Sequence, residues 1–490
     1  MAPRTIFRKT AMLHPDRLLP ADPAVRATAR ALYERVADAP IVSPHGHCEA
    51  SWFAGNAPFP NAADLLVTPD HYVLRMLASQ GVSYEALGVP RADGSRPDVD
   101  PREAFRLFAA HYHLFAGTPS RVWLDHALHV VLGVPERLGP VTADAVFDHV
   151  AARLASPAFR PRALYERFGI EVLATTDNAT DTLDAHRALK AQGFGRIVPT
   201  FRPDALTDPL REDFAASMQR LEEQTGEHVA DWSGFLKALR ARRAVFARLG
   251  ATATDHGVLA PVTADLPRPA CQALLDKATA GTITADEAAL FQAQMLTEMA
   301  AMSVEDGLVM QIHAGSRRNY APSVFARYGR DKGYDIPAPV AWANGLKPLL
   351  DRFGFEPNLQ MVLYTLDETA YGRELAPLAG AFPTVLLGAP WWFFDSPEGM
   401  RRYRSQVIES AGFHNTAGFV DDTRAFLSIP ARHDMARRMD AGFLAGLVAE
   451  HQIGTDEAFA LIGELAGGLA HRAYRTGTGQ AAPGSDRATA

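Results

Sequence analysis

The chain has 490 residues, of which 47% are hydrophobic and 21% are charged, so it can bury a sizeable core. A net charge of −7 without a dense Lys/Arg block argues against nucleic acid as the main partner, and two cysteines, Cys48 and Cys271, exclude a disulfide framework. Without a signal-peptide core or an apolar run of the roughly 18 residues that a membrane helix needs, a cytoplasmic protein with no membrane partner is expected.

Eight short apolar runs, many of them rich in β-branched residues, alternate with longer amphipathic stretches along the chain. They lie at residues 40–45, 170–176, 196–201, 250–254, 307–313, 359–364, 383–388 and 417–422. Strands that alternate with helices indicate a parallel sheet, and eight such strands predict a (β/α)8 barrel. The predicted fold class is α/β, a distorted TIM-type barrel with helical insertions that cap its C-terminal face.

The remaining segments complete the predicted organisation. Residues 1–39 form an N-terminal helical segment, residues 40–473 form the barrel, and residues 474–490 form a flexible tail of small polar residues. Helical patterns at about 48–165 and 204–249 interrupt the barrel as insertions. The first of these is long enough to be a separate helical domain instead, and this alternative stays open.

Polar residues follow most of the predicted strands, at the end of a TIM barrel where active sites lie. In chain order they are His45, His47, Asp177, Arg202, Asp204, Asp255, His256, His313, Arg318, Trp391, Asp422 and Arg424. Each one alone has an ordinary explanation, such as a helix N-cap for an aspartate or a solvated surface for an arginine. Their repeated occurrence at strand ends predicts an active site.

The residue types indicate what such a site would bind. His45 and His47 are one residue apart, so on an extended strand their rings face the same way, although two ordinary polar residues at a loop entrance would show the same spacing. With one strand-end carboxylate they form the nitrogen and oxygen set that suits zinc or a similar divalent ion. Arg202, Arg318 and Arg424 suit a carboxylate or phosphate. Because no Gly-rich phosphate loop follows the first strand, a small carboxylate is favoured over a nucleotide.

A series of short motifs then gives a family resemblance. The motifs are His45-x-His47, PDHYVLRMLASQGV (69–82), TTDNATDTLDAH (175–186), VPTFRPD (198–204), DHG (255–257), QIHAGSRRN (311–319), GRDKGYD (329–335), WWFFD (391–395) and DDTRAFLSIPARHDMARR (421–438). From about residue 20 to 470 the chain resembles the uronate (glucuronate) isomerase family of the amidohydrolase superfamily. Departures at Ser43-Pro44 and Cys48-Glu49 indicate a divergent branch.

The resemblance implies an activity and a set of site residues. The implied reaction is an aldose–ketose isomerisation through an enediol, from D-glucuronate to D-fructuronate and from D-galacturonate to D-tagaturonate, in sugar-acid catabolism. The implied metal is divalent, usually zinc, and its ligands are His45, His47 and Asp422. The implied catalytic residues are Asp422, Tyr72, His45 and His313, and the implied substrate-binding residues are His71, Arg202, Arg318, Arg424 and Trp391. A homo-oligomer is expected. For Tyr72 to exchange the C2 proton, nearby cations would have to lower its pKa.

Other interpretations stay open at this point. A metal that polarises an oxygen can also activate water, so the runner-up is metal-dependent hydrolysis of a small carboxylate ester, lactone or amide. A non-catalytic sugar-acid binder is a third class. Asp70 could cap a helix that leaves His71 and Tyr72 on the surface, and Trp391 could be a packing residue at the barrel rim.

Overall fold

The computed structural model describes residues 13–477. The ends of the predicted N-terminal segment and tail, residues 1–12 and 478–490, lie outside this range. Tyr474 and Thr476 are fully buried, so the packed chain continues past residue 473, where we expected the tail to begin. No helix among the described residues is long and apolar enough to cross a bilayer.

Seven of the eight predicted strands are present. The strands are Ile41–Ser43 (β1), Ile170–Ala174 (β2), Asp177–Asn178 (β3), Ile197–Val198 (β4), Phe201–Arg202 (β5), Ala253–Val258 (β6), Val309–Ala314 (β7), Ser316–Arg317 (β8), Ile336–Pro337 (β9), Met361–Thr365 (β10) and Val385–Leu387 (β11). They pair in parallel in the orders β1-β2-β4 and β3-β5-β6-β7-β10-β11, and only β8 and β9 pair in the antiparallel sense. Each of the pairs β2/β3 and β4/β5 is one barrel strand with a break, so the barrel strands follow chain order.

The eighth predicted strand, residues 417–422, does not form a ladder among the described residues. One bridge joins Leu387 to Thr416, and positive φ angles of 76° at Gly418 and 38° at Asp422 interrupt the extended backbone. The segment still closes the barrel, because the backbone N–H of His47 donates to the carbonyl of Thr423 at 3.1 Å. The strand prediction is wrong here, although the segment occupies the expected position.

The helices surround the sheet and cover its C-terminal end. They are Pro23–Val36 (α1), Ala50–Gly55 (α2), Ala62–Leu66 (α3), His71–Ala78 (α4), Pro101–Ala110 (α5), Pro119–His126 (α6), Ala143–Leu154 (α7), Pro161–Arg167 (α8), Asp184–Ala191 (α9), Asp204–Thr207 (α10), Phe214–Thr225 (α11), Trp232–Arg248 (α12), Arg268–Thr279 (α13), Ala285–Asp306 (α14), Pro322–Tyr328 (α15), Trp342–Phe353 (α16), Ala376–Ala381 (α17), Pro397–Ala411 (α18), Ile429–Ala449 (α19), Thr455–Gly463 (α20) and Leu469–Ala473 (α21). Short 3-10 segments are Tyr112–Phe115, Pro157–Phe159 and Phe426–Ser428, and π-helical segments are Ala127–Val131, Tyr371–Leu375 and Glu464–Gly468.

Helices α2–α8, which lie between residues 50 and 167, share one hydrophobic core with the first barrel strands. Phe53 and Phe105 are fully buried in a cluster that also contains Ile41, Ile170 and Ile197. Burying a large apolar side chain contributes about 1.5–3 kcal/mol, so these contacts tie the helices firmly to the sheet. These helices and the first barrel strands therefore pack around one core, and the insertion stays a prediction.

Candidate active site

A cavity of about 60 Å³ lies at the C-terminal ends of the strands, under helix α4. The predicted residues that line it are His47, His71, Tyr72, Arg202, Arg318, Trp391, Asp422 and Arg424. His45 and His313 are buried and pack against each other with ring centroids 4.7 Å apart. The structure therefore brings the predicted site residues together. The strand-end Asp177 is not among the lining residues and instead accepts a hydrogen bond from Thr175 at 2.7 Å.

Three histidines surround the carboxylate of Asp422. His47 Nε2 lies 3.1 Å and His45 Nε2 lies 3.6 Å from the same oxygen, Asp422 Oδ1. Potential ligand atoms of His45, His313 and Asp422 all lie within 4.8 Å of one another. The predicted ligands His45 and Asp422 thus cluster with His313 from strand β7, whereas His47 contacts the Asp422 carboxylate but is not part of this cluster. A mixed nitrogen and carboxylate set of this kind suits a divalent metal.

The hydrogen bonds of His313 support this assignment. Its Nδ1 donates to Asp255 Oδ1 at 2.6 Å, whereas its Nε2 is buried and has no hydrogen-bond partner among residues 13–477. A buried polar atom without a hydrogen-bond partner costs folding free energy, so this nitrogen calls for a partner. Because the Asp255 carboxylate holds the proton of His313 on Nδ1, Nε2 keeps a lone pair that can bind a metal. Burial also lowers the pKa of His45 to about 3, which keeps its imidazole neutral, the form that binds metals. The residues present fit a divalent ion.

Asp422 is held as a carboxylate in a strained position. Burial alone would raise its pKa, but the nearby imidazoles of His45 and His47 outweigh burial and hold the pKa well below its usual range. Its φ of 38° is uncommon for a residue with a side chain, and such strain is frequent at functional sites. The carboxylate is therefore available as a ligand or proton carrier across the physiological pH range.

Two of the three predicted arginines meet at one carboxylate. Arg424 Nη2 lies 2.7 Å from Asp331 Oδ2, and Arg318 Nη1 lies 3.5 Å from Asp331 Oδ1. The third, Arg202, is held by Asp204 at 2.8 Å and by Asp255 at 3.2 Å. Asp331 lies in the GRDKGYD motif but received no predicted role. It is a functional candidate that sequence reasoning missed, because its partners lie far away in the chain.

Helix α4 brings His71 and Tyr72 to the cavity. Asp70 caps the helix, as expected, and accepts the backbone N–H groups of Tyr72 at 2.8 Å and Val73 at 3.4 Å. The alternative that this cap leaves His71 and Tyr72 on the surface is wrong, because both side chains line the cavity. His71 stacks on Trp392 with ring centroids 4.6 Å apart, and its Nδ1 is buried without a hydrogen-bond partner.

The pKa of Tyr72 is shifted upwards, so the condition under which Tyr72 would exchange the C2 proton, a pKa lowered by nearby cations, is not met. Burial is the largest cause, and the carboxylate of Asp395, which accepts the Tyr72 hydroxyl at 2.7 Å, adds to it. Arg432 opposes both effects but is outweighed. Tyr72 is therefore a neutral phenol and a hydrogen-bond donor. Neither Asp395 nor Arg432 was given a role from the sequence, although both lie in motifs of the resemblance.

Trp391 closes the wall of the cavity beside the histidines. Its ring packs edge-on against His313 with centroids 4.7 Å apart, and the residue is buried. The side chain thus packs at the barrel rim and also lines the cavity. The role of Trp391 in substrate binding, which the resemblance implies, stays a prediction.

Comparisons with known proteins give one family for most of the chain. The family model described as glucuronate isomerase matches residues 22–475. A protein named uronate isomerase from Xanthomonas axonopodis pv. citri is 57% identical over 94% of this chain and 98% of its own, and one from Rhizorhabdus wittichii is also 57% identical over the same shares.

Solved structures give the same result. The crystal structure of glucuronate isomerase from Caulobacter crescentus has 52% identity and a TM-score of 0.94, over 96% of this chain and 98% of that one. Uronate isomerase from Thermotoga maritima has 31% identity and a TM-score of 0.88, over 94% and 99%. These structures confirm the predicted barrel fold, and the relatives favour an isomerase over the hydrolase alternative. The chain belongs to the uronate (glucuronate) isomerase family.

Proposed function

We propose that the protein isomerises hexuronic acids, converting D-glucuronate to D-fructuronate and D-galacturonate to D-tagaturonate in sugar-acid catabolism. The observation that carries this proposal is one cavity lined by Asp422, Tyr72 and two converging arginines, with the buried His45 and His313 close to Asp422 as possible metal ligands. Aldose–ketose isomerisation of a sugar acid needs a proton carrier, stabilisation of an enediolate and a carboxylate anchor, and the cavity offers a group for each.

Arg318 and Arg424 are the proposed anchor for the C6 carboxylate of the open-chain sugar. Guanidinium groups match carboxylates in bidentate geometry, and two of them fix the chain relative to the reacting carbons. Four arginines and five aspartates line the cavity, so with all carboxyls ionised its side chains carry one net negative charge. A bound divalent ion would reverse that sign to one net positive charge. This balance suits a substrate with a single carboxylate.

The reacting end of the sugar would lie between Tyr72 and Asp422. Tyr72, on the α4 side of the cavity, is placed to exchange the hydrogen at C2 and C1. Asp422, beside His47, is placed to carry the hydroxyl proton from O2 to O1. When bound, a divalent metal held by His45, His47, His313 and Asp422 would supply Lewis-acid polarisation of the substrate oxygens. His71 and Trp391 would position the sugar against these groups.

Several finer points belong to the same proposal. Zinc is the proposed metal, because nitrogen donors with one carboxylate suit it. The proposed location is the cytoplasm and the proposed assembly is a homo-oligomer.

The test is conversion of both acids in deuterated water, followed by NMR. Chelator-treated and zinc-reloaded protein are compared side by side, with circular dichroism to show that both are folded. The expected result is a ketouronate formed by the reloaded protein, with deuterium at C1 where the transferred hydrogen has exchanged with solvent, and a strong loss of conversion after chelation. Absence of product from both acids with folded, metal-loaded protein would refute the proposal.

A further inference from the structure

A buried series of hydrogen bonds continues behind Tyr72. The Tyr72 hydroxyl donates to Asp395 Oδ1 at 2.7 Å, and Arg432 Nη1 donates to the other oxygen, Asp395 Oδ2, at 2.7 Å. The same Arg432 nitrogen donates to the carbonyl of Asp421 at 3.2 Å, and its guanidinium lies 3.6 Å from the ring centroid of Trp123. Arg432 is thus fixed on three sides, and it fixes Asp395 in turn.

The hydrogen bonds at the Tyr72 oxygen decide what this residue can do. Its proton is directed to Asp395, and the backbone N–H of Phe393 donates to its oxygen at 3.1 Å. A phenolic oxygen has two lone pairs, so one remains for a substrate hydrogen. Because Tyr72 stays protonated, it cannot act as a preformed phenolate base. It can accept a proton only if it passes its own proton on at the same time.

We propose that Asp395 is the terminal proton acceptor of the isomerisation and receives the substrate proton through Tyr72. This inference rests on the proposed function. In the forward step the C2–H bond breaks, the proton goes to the Tyr72 oxygen, and the Tyr72 O–H proton goes to Asp395 Oδ1. The electron pair of the C2–H bond becomes the C1–C2 double bond of the enediolate, with the charge on O1.

The second half of the reaction reverses the relay. The O2 proton moves to O1 and the C2=O bond forms. At the same time the electron pair of the C1=C2 double bond takes a proton from Tyr72, which forms the new C1–H bond. Tyr72 recovers its proton from Asp395, which returns to a carboxylate. Atoms and electrons balance without another reactant, and both residues end the cycle as they began.

The surroundings of Asp395 suit this role. The charged or titratable groups that act on it are Tyr72, Arg432, Asp70 and Asp422. Burial raises its pKa, and although Arg432 lowers it, the net shift is upwards, so this carboxylate holds a proton better than an exposed one. Arg432 is a positioning residue, since it orients Asp395 and only Asp395 meets the tyrosine proton.

The chain contains a matched control for this arrangement. Asp434, two residues after Arg432, is also largely buried and accepts hydrogen bonds from a tyrosine, Tyr33, and an arginine, Arg438. It does not line the cavity among the described residues. Asp434→Asn therefore makes the same chemical change in the same kind of hydrogen-bond group, away from the substrate.

The experiment compares wild type, D395N, D434N, Y72F and the D395N/Y72F double variant on the hexuronate that the wild type converts. Asparagine can still accept the Tyr72 hydroxyl but cannot take its proton. D395N is expected to lower kcat by about 100-fold or more while KM changes by less than about threefold, as for loss of a general base. D434N should keep kcat within about threefold. Because the relay acts as one unit, the double variant should be about as slow as the slower single variant.

Wild-type isotope effects test the relay even if D395N does not fold. A concerted relay moves the substrate hydrogen and the solvent-exchangeable Tyr72 proton together, so C2 deuteration and deuterated water should both slow the same step. Wild-type-like kcat in folded D395N would overturn the inference, as would a C2 isotope effect with no solvent effect. A wild type that converts neither hexuronate would overturn the proposed function and the relay with it.

Discussion

Gly333 is where the GRDKGYD loop (residues 329–335) touches helix α4, and adding one methyl group there should separate the two. Its φ is 84°, and a Cβ would lie 2.7 Å from the Cβ of Arg75 and 2.8 Å from the backbone carbonyl of His71. The left-handed conformation costs a residue with a side chain about 1–2 kcal/mol. Overpacking against backbone adds about 1–3 kcal/mol. Gly333→Ala should therefore weaken the contact by about 2–5 kcal/mol in total.

Gly329→Ala separates the two contributions. Gly329 lies in the same loop with a φ of 79°, but an added Cβ would lie no closer than 3.9 Å to its nearest neighbour, the Cβ of Ala92. With ψ at −162° its backbone conformation is essentially restricted to glycine, so this variant carries a conformational cost of its own but no clash. A loss of activity in Gly333→Ala that Gly329→Ala does not share therefore comes from the clash with helix α4.

The clash should act on activity, because Asp331 and His71 lie on the two sides of the contact. If the clash removes about 1–3 kcal/mol of transition-state stabilisation from the assembled site, kcat/KM of Gly333→Ala should fall by about 5- to 100-fold. Gly329→Ala should lower the melting temperature but leave kcat/KM within about threefold. Steady-state kinetics and thermal melting on both variants provide the assay. Equal effects of the two substitutions on kcat/KM would refute the reasoning.

Three further predictions follow from the site and its surroundings. Asp422→Asn should reduce kcat by about 100-fold or more while circular dichroism shows an intact fold; wild-type-like turnover would remove Asp422 from the mechanism. Arg318→Met should raise KM by about 10- to 100-fold, as for a lost hydrogen bond to a charged group. Arg317→Met, at the exposed neighbouring residue, should leave KM unchanged. Equal KM values for the two variants would contradict the carboxylate anchor. Burial lowers the pKa of His126 to about 4, from 6.5, so the unfolded chain binds more protons between these values and stability falls as pH drops from 6.5 towards 4. At pH 5 this protonation lowers the free energy of unfolding by about 2 kcal/mol. The melting temperature should therefore fall less in His126→Gln than in wild type between pH 7.5 and 5, and an equally steep fall would contradict this prediction.

Local patterns in the sequence predict most of the fold. The alternation of apolar runs with amphipathic stretches places seven barrel strands within a few residues, because strand and helix periodicities depend on neighbours in the chain. The eighth position departs from the pattern, since positive φ angles at Gly418 and Asp422 interrupt an otherwise strand-like run. Asp255 and His256 were expected after the fourth strand but lie within β6, which begins and ends later than predicted.

The sequence by itself determined the barrel, the position of His45-x-His47 at its C-terminal end and the family to which the chain belongs. Only the tertiary structure decided the partners of each site residue. His313 meets Asp255 across 58 residues, Arg424 meets Asp331 across 93, and Tyr72 meets Asp395 across 323. Such contacts depend on strand register and on how distant segments pack, which local periodicity does not encode. The same packing buries Tyr72 beside a carboxylate, and for this reason its pKa rises, whereas a lowered pKa was the condition set from the sequence for Tyr72 to exchange the C2 proton.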